Sequence, residues 1–416
     1  MLSVVLGAGI AGVTAAYELA RRGHEVIVVD RQSAPALETS YANGGLIVPS
    51  QSDPWASPDA PMKLLKWLGR EDAPLLLRLS AVPGMLRWGL AFLANCRHER
   101  WRENTAAVFR LAIYSRDAYD ALARETGIEH GGGDRGTLRL YSDEAALKAG
   151  LAEFQPYREL GLAHEVLSRE RCVALEPSLA DVARKFIGGI HVSADRSGDC
   201  QAFATGLAER ARKLGVEFRF GTTVEGIETE AGAATAVRTD RGRISGDRFL
   251  LALGPYSARM AKSLGWRLPV NPVKGYSETL DIEGWNNAPR VPLVITYRKM
   301  AITNLGKRLR LAGSAEFAGF DLTPNPRRGQ MLLDALAEHF PAYPRTKPPE
   351  HWAGLRPVVP DGRPVLGATP VKNLFVDTGH GQLGWTLSCG SAKAIAALMD
   401  GKAPEIDLKD FAFDRF

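Results

Sequence analysis

The chain has 416 residues, 45% of them hydrophobic and 24% charged, and its 52 lysines and arginines against 47 aspartates and glutamates leave a net charge of +5. That length is long for one core, so two domains are expected of an ordinary globular protein, and so small a charge excess does not call for a nucleic-acid partner. The four cysteines (Cys96, Cys172, Cys200, Cys389) show neither a CxxC pair nor metal-ligand spacing, which reads as reduced thiols of a cytosolic protein with no metal site.

In chain order, Val4-Val5-Leu6 makes a short apolar run that Gly7-Ala8-Gly9-Ile10-Ala11-Gly12 interrupts. Helical spacing starts at Val13 and stops near Gly23, and Ile27–Val29 form a second apolar strand ending on Asp30. Strand, glycine turn, helix and strand within thirty residues are the context in which GxGxxG signals dinucleotide binding. Gly7 permits the tight turn, Gly9 lets the backbone approach a pyrophosphate, and Gly12 lets helix and strand pack closely. The helix N-terminus presents unpaired N–H groups to the phosphates. Asp30 stands where a carboxylate accepts from a ribose hydroxyl, with Arg31 beside the adenosine end. Met1 runs into the first strand without a basic n-region, so no signal peptide is expected.

Glu38–Gly45 is small and polar, as a loop is, and falls at the carboxyl end of the sheet where open α/β folds bind ligands. The most apolar region, about 64–96, is broken by Arg70, Glu71, Asp72, Arg78 and Arg87 and by Pro74 and Pro83. A bilayer span needs about 20 largely uncharged residues, so no transmembrane helix is expected. The region reads as short amphipathic helices rich in Leu and Trp, packed over a substrate domain or lying on an anionic membrane surface. Residues 104–126 carry the clearest helical spacing and end at Gly127. Gly131–Gly133 reads as a turn and Gly136–Tyr141 as a strand.

Near residue 195 the first domain is expected to resume. Asp199–Leu214 reads as a helix closed by Gly215, Val216–Phe220 and Thr223–Ile227 as strands, and Arg248–Leu253 as a buried strand ending on Gly254-Pro255. Residues 261–350 return to strands such as Arg308–Ala312, with a helix over 327–340 and a proline-rich connector after it. Trp352–Gly367 reads as a turn-rich stretch holding Arg356 between glycine and proline. A strand at Leu374–Val376 then leads through Asp377-Thr-Gly-His-Gly-Gln-Leu-Gly384 into a helix over about 385–399. A second glycine turn at a helix N-terminus can bind another anionic part of the same cofactor. The fold class expected is α/β: a Rossmann-like cofactor domain (1–49, 195–260 and 351–416) with an interleaved α+β substrate domain (50–194 and 261–350).

The N-terminal fingerprint, ETSYANGGLIVPSQSDPW at 38–55, WAGLRPVVPDGRPVLG and TGHGQLGWTLSCG together resemble the FAD-dependent D-amino acid oxidase superfamily over nearly the whole chain. The likeness is greatest to its bacterial D-amino acid dehydrogenases. It implies FAD as cofactor, with Gly7, Gly9, Ile10, Ala11, Gly12 and Asp30 at the diphosphate and adenosine ribose. It further implies Ser40, Asn43, Gly44, Gly45 and Leu46 at the flavin end, Val224 at adenine, Gly254 closing the buried strand, and Gly379, Gly381, Gln382, Leu383 and Gly384 at the flavin ring. Departures are Asn43-Gly44-Gly45-Leu46 where many members read Asn-Ala-Gly-Gln, and Gln382 where Thr is frequent.

Oxidation of an α-amino acid to an imine sends a hydride from Cα to flavin N5, a step that belongs to the cofactor. The protein must fix the carboxylate, for which a planar guanidinium making two parallel hydrogen bonds is suited; the resemblance places Arg356 there. The helix from about Leu383 turns its positive end to charge on the reduced ring. His380 faces flavin or substrate, or is structural. Tyr276 and Tyr297, on strands, bind a substrate carboxylate or pack the sheet. No general base is needed for an amine arriving deprotonated. The expected activity is oxidation of D-amino acids to 2-oxo acids and ammonia, with a quinone or other carrier as electron acceptor. A glycine, sarcosine or D-proline-type enzyme and a non-catalytic flavoprotein are the alternatives. A plain NAD dehydrogenase has no need of the distant 379–384 turn. The oligomeric state stays open.

Overall fold

Strand Leu2–Leu6 lies at the centre of a six-stranded sheet, ordered Val365–Ala368, Leu374–Thr378, Arg248–Leu251, Leu2–Leu6, Glu25–Val29, Glu217–Arg219. All neighbours are parallel except the Val365–Ala368 edge. The computed structural model describes residues 1–67, 69–71, 73–345 and 347–416; Asp72, counted among the charges that interrupt the apolar region, lies outside them. The central strands are apolar on both faces because both are covered. Val5 and Val28 turn toward helices Ile10–Arg21, Cys200–Lys213 and Gly384–Met399. Val4, Leu6, Ile27 and Val29 turn toward a three-stranded antiparallel meander (Val224–Glu230, Ala233–Thr239, Gly242–Ser245). The period of two along each strand thus builds two cores from one sheet.

The helix ends obey local rules. Asp199 caps Cys200–Lys213, accepting from the N–H groups of Gln201 and Ala202. Helix His98–Thr126 closes on Gly127, left-handed at φ 60°, whose N–H donates to Ala123 O.

The second sheet runs Glu350–Val358, Asn271–Asp281, Arg308–Phe317, Met300–Asn304, Leu293–Ile295, Thr137–Tyr141, Gly188–Val192, Glu165–Ser168, with Leu75–Leu77 pairing parallel to Arg308–Phe317. Two expectations are corrected here. The stretch from Trp352 begins not as turns but as part of the nine-residue strand Glu350–Val358, paired antiparallel to Asn271–Asp281. Pro357 hides this in the sequence, yet the strand lies at the sheet edge, where proline is tolerated. Tyr276 lies on a strand as expected, but Tyr297 sits in the 3-10 turn Thr296–Arg298 between two strands.

Residues 60–95 form helix Ala60–Trp67, strand Leu75–Leu77 and helix Val82–Asn95. Trp88 anchors the last of these by donating its Nε1–H to Val358 O at 3.1 Å, and stacks on Phe92. The other face exposes Met62, Leu65, Leu79, Leu86, Leu90 and Leu93. Among the described residues no helix is long and apolar enough to cross a membrane.

Candidate active site

A single cavity of about 1810 Å³ runs between the two sheets and is lined from the glycine turn at one end of the chain to the glycine turn at the other. Pockets for drug-sized ligands occupy roughly 300–1,000 Å³, so this one has room for a dinucleotide together with a small substrate.

At its first end Gly7 adopts φ 104°, and a Cβ there would lie 2.5 Å from Ala252 O. A Cβ on Gly12 would collide with the Gly7 carbonyl oxygen. Both glycines are required by the protein's own backbone. Gly9 differs: the nearest atom to its absent Cβ is Ser40 Oγ at 3.5 Å, so the space kept open there faces the cavity. Ile10 N–H donates to Ser40 Oγ at 3.0 Å, which ties the 38–45 loop to the helix N-terminus. Asp30 accepts from Ala8 N–H at 2.6 Å and Gln32 N–H at 2.8 Å, while burial pushes its carboxyl up against those two donors. It therefore fastens the turn as well as facing the cavity. Arg31 bonds Glu38 at 2.6 Å and lies over the Tyr256 ring at 4.1 Å.

Of the residues singled out in the sequence, Gly7, Gly9, Ile10, Ala11, Asp30, Arg31, Ser40, Asn43, Gly44, Leu46, Val224 and Gly254 line the cavity. So do Gly381, Gln382, Leu383, Gly384, His380, Tyr276, Tyr297 and Arg356. Gly12, Gly45 and Gly379 stand behind the wall and shape it through backbone. Gly45 is left-handed (φ 67°), and a Cβ on it would lie 2.8 Å from Gly198 O. Gly379, at φ 81°, turns the chain toward the last helix. The loop is pinned by Arg310 Nη1, which donates to Asn43 O at 3.0 Å, and by the Thr303 hydroxyl, which donates to Gly44 O at 2.7 Å.

Between the ends lies Arg356, on the edge strand opposite Val273. Its Nη1 donates to Ser314 O at 2.9 Å, and its Cζ is 5.9 Å from the Trp55 ring. No carboxylate of the described residues pairs with it. Burial pushes its pKa down to about 10, still charged at neutral pH, so the cation stands ready for an anion from outside the protein.

The two tyrosines are committed elsewhere. The Tyr276 hydroxyl donates to the buried Glu316 carboxylate. Burial and Glu316 together hold that phenol well above its usual range. The Tyr297 hydroxyl lies 2.8 Å from His339 Nε2, and burial pushes its pKa up to about 12. Both residues line the cavity, and neither hydroxyl is without a partner inside the protein. His380 is buried, with Nε2 3.1 Å from Asp377 Oδ1 and 3.2 Å from Ser391 Oγ, so this nitrogen is held inside the protein.

Several wall residues had no sequence signal. Gly275 and Ser314 flank Arg356, but neither stands in a motif. Trp55 ends a quoted motif without being marked by it. Strand pairing brings Gly275 and Ser314 to Arg356, and Trp55 reaches it from a loop.

Comparison with known proteins gives the family. Residues 3–398 match the family described as FAD dependent oxidoreductase. A D-amino acid dehydrogenase of Rhizobium johnstonii is 45% identical over 416 residues, covering 100% of both chains. Another, from Phenylobacterium zucineum, is 44% identical over 99% of this chain and 97% of its own. Among solved structures, glycine oxidase from Geobacillus kaustophilus superposes with a TM-score of 0.77 at 23% identity, over 100% of this chain and 98% of its own. L-proline dehydrogenase from P. horikoshii gives 0.77 at 18%, over 99% and 96%. At such identities the structural likeness shows the fold alone, whereas the sequence relatives and the family match go further: the chain belongs to the FAD dependent oxidoreductase family.

Proposed function

We propose that this chain is a D-amino acid dehydrogenase, oxidising its substrate to an imine that water hydrolyses to a 2-oxo acid and ammonia. The observation that carries the substrate class is Arg356, a half-buried guanidinium on the cavity wall with a backbone carbonyl as its partner. Bound FAD supplies the two-electron acceptor for hydride.

The chain's own residues bind and orient. Arg356 takes the substrate carboxylate in a two-bond fork, which fixes Cα in space as a point charge would not. Gly7, Gly9, Ile10, Ala11 and Gly12, with the helix N-terminus behind them, hold the diphosphate; Asp30 and Arg31 hold the adenosine side, and Val224 and Gly254 border it. Ser40, Asn43, Gly44, Gly45 and Leu46, with Gly379, Gly381, Gln382, Leu383 and Gly384, hold the flavin end. There the N-terminus of helix Gly384–Met399 favours negative charge on the reduced ring. Tyr276, Tyr297 and Trp55 wall the substrate space and keep water from it, with the two tyrosine hydroxyls satisfied inside the protein. His380 supports the second glycine turn from within the cavity wall.

We also take residues 1–49, 195–260 and 351–416 as the FAD-holding unit and 50–194 and 261–350 as the substrate-holding one. The sheet memberships support this except at Glu350–Val358, which pairs into the second sheet beside Asn271–Asp281, so that Arg356 belongs to the strand where the two meet. A quinone or other carrier is the proposed electron acceptor. The exposed leucines of residues 62–93, interspersed with Lys63, Lys66 and Arg87, support peripheral contact with a membrane.

The test is anaerobic mixing of the purified holoenzyme with D- and L-amino acids while following flavin absorbance. D isomers bleach the flavin. Arg356→Ala keeps FAD but loses bleaching. Bleaching by L isomers alone, or undiminished bleaching in Arg356→Ala, refutes the reading.

A further inference from the structure

Arg356 is held by a fault in the next strand but one. Strands Asn271–Asp281 and Arg308–Phe317 pair Tyr276 with Gly313 but Lys274 with Glu316, so three steps on one strand face two on the other. The extra residue makes a β-bulge, a feature that re-aims side chains and recurs beside active sites. Within it Ser314 adopts φ 58°, left-handed for a residue that is not glycine. Such conformations persist only where the surroundings over-determine them.

What the bulge accomplishes is visible in its contacts. Out of register, the Ser314 carbonyl accepts from Arg356 Nη1 at 2.9 Å. The Ser314 hydroxyl lies 3.4 Å from Nη1 of the fully buried Arg328, whose firmer bond is to Ala73 O. Gly275, at the shifted position on the opposite strand, leaves room for the guanidinium itself. Ser314 also lines the cavity. A regular ladder would spend that carbonyl on the neighbouring strand and leave Arg356 without its hydrogen bond.

We propose that Ser314 is a positioning residue for substrate binding: its left-handed backbone turns a carbonyl out of the sheet to aim Arg356 at the substrate carboxylate. The inference rests on Arg356 being the carboxylate anchor. It assigns the role to the Ser314 backbone, with the hydroxyl secondary.

The experiment uses holoenzyme, KM and kcat for D-alanine, and Ki for propionate, which is D-alanine without its amine. Ser314→Thr keeps the hydroxyl but adds a β-branch that the left-handed region rejects. It is expected to raise KM and Ki about ten-fold with kcat nearly unchanged and FAD retained. Ser314→Ala and Ser314→Gly keep the turned carbonyl and stay within about three-fold of the parent. In an Arg356→Lys background the Thr substitution loses most of its effect, because the contact it perturbs is gone. Unchanged Ki in Ser314→Thr, equal damage from Ala and Thr, or a full effect persisting beside Arg356→Lys overturns the proposal. If Ser314→Thr does not fold, Ser314→Ala alone decides on Ki: a loss of ten-fold or more refutes the backbone role, and retention with Arg356→Ala inactive upholds it. Propionate binding unaltered by Arg356→Ala sinks the anchor reading and this inference together.

Discussion

The guanidinium of Arg356 lies flat against the α-carbon of Gly275, so close that a Cβ on Gly275 would overlap its central carbon. The contact spans two strands of one sheet and 81 positions of sequence, and it makes glycine a requirement of the proposed substrate anchor rather than of the backbone. Gly275→Ala must push the guanidinium aside. Overpacking of this kind costs about 1–3 kcal/mol, and here it falls on the side chain proposed to receive the substrate. The expected result is a KM for D-amino acids raised roughly five- to hundred-fold at that cost, with FAD content and kcat little changed. Steady-state kinetics beside the flavin spectrum checks it.

Gly12→Ala tests the other end. Its methyl group meets the Gly7 carbonyl oxygen inside the turn that faces the cavity. Strand and helix must separate, and the helix N-terminus moves away from the proposed diphosphate position. The variant is expected to purify with little or no FAD, and reconstitution of the apoprotein followed by flavin fluorescence would reveal any affinity that survives.

Glu316 predicts a pH effect. Burial pushes its carboxyl up, but the Tyr276 hydroxyl, Arg78 and Lys274 outweigh burial and hold it below the usual carboxylate range. Arg78 Nε donates to it at 2.6 Å from the segment that borders the cavity mouth. A depressed folded pKa stabilises above the unfolded value of about 4.3 and is lost as pH falls through the lower folded one. Glu316→Gln should therefore cost about 1–3 kcal/mol at pH 7. Urea unfolding of both proteins at successively lower pH should show that gap closing once the parent's carboxylate is protonated.

The exposed leucines carry the membrane reading. Leu65 and Leu90 are each 68% exposed, on the two helices that flank strand Leu75–Leu77. Burying one such side chain is worth about 1.5–3 kcal/mol. Leu65→Glu with Leu90→Glu is expected to lower sedimentation with anionic phospholipid vesicles by about ten-fold or more on that basis, while turnover with a soluble dye acceptor is unchanged. Equal sedimentation of parent and variant would remove the reading.

The cofactor end of the fold is legible in the amino-acid sequence because its determinants are neighbours. Gly7, Gly9, Gly12 and Asp30 fall in one strand–turn–helix–strand unit, and each has a local reason for its place. The strand carrying Arg356 is harder to read. Pro357 looks like a turn signal until the pairing with Asn271–Asp281 shows an edge strand. Tyr276 and Tyr297 are placed at the cavity by their chain positions, but the partners that occupy their hydroxyls, Glu316 and His339, stand 40 and 42 positions away.

By itself, then, the sequence determines that a dinucleotide turn opens the chain, that a second glycine turn meets it, and that an arginine sits in a motif between them, because short-range periodicity and glycine geometry are local properties. Only the tertiary structure decides what that arginine can do. Its bare α-carbon neighbour and its turned carbonyl come from strands distant in sequence, and among the described residues no carboxylate pairs with it, which is what suits its charge to the proposed substrate carboxylate.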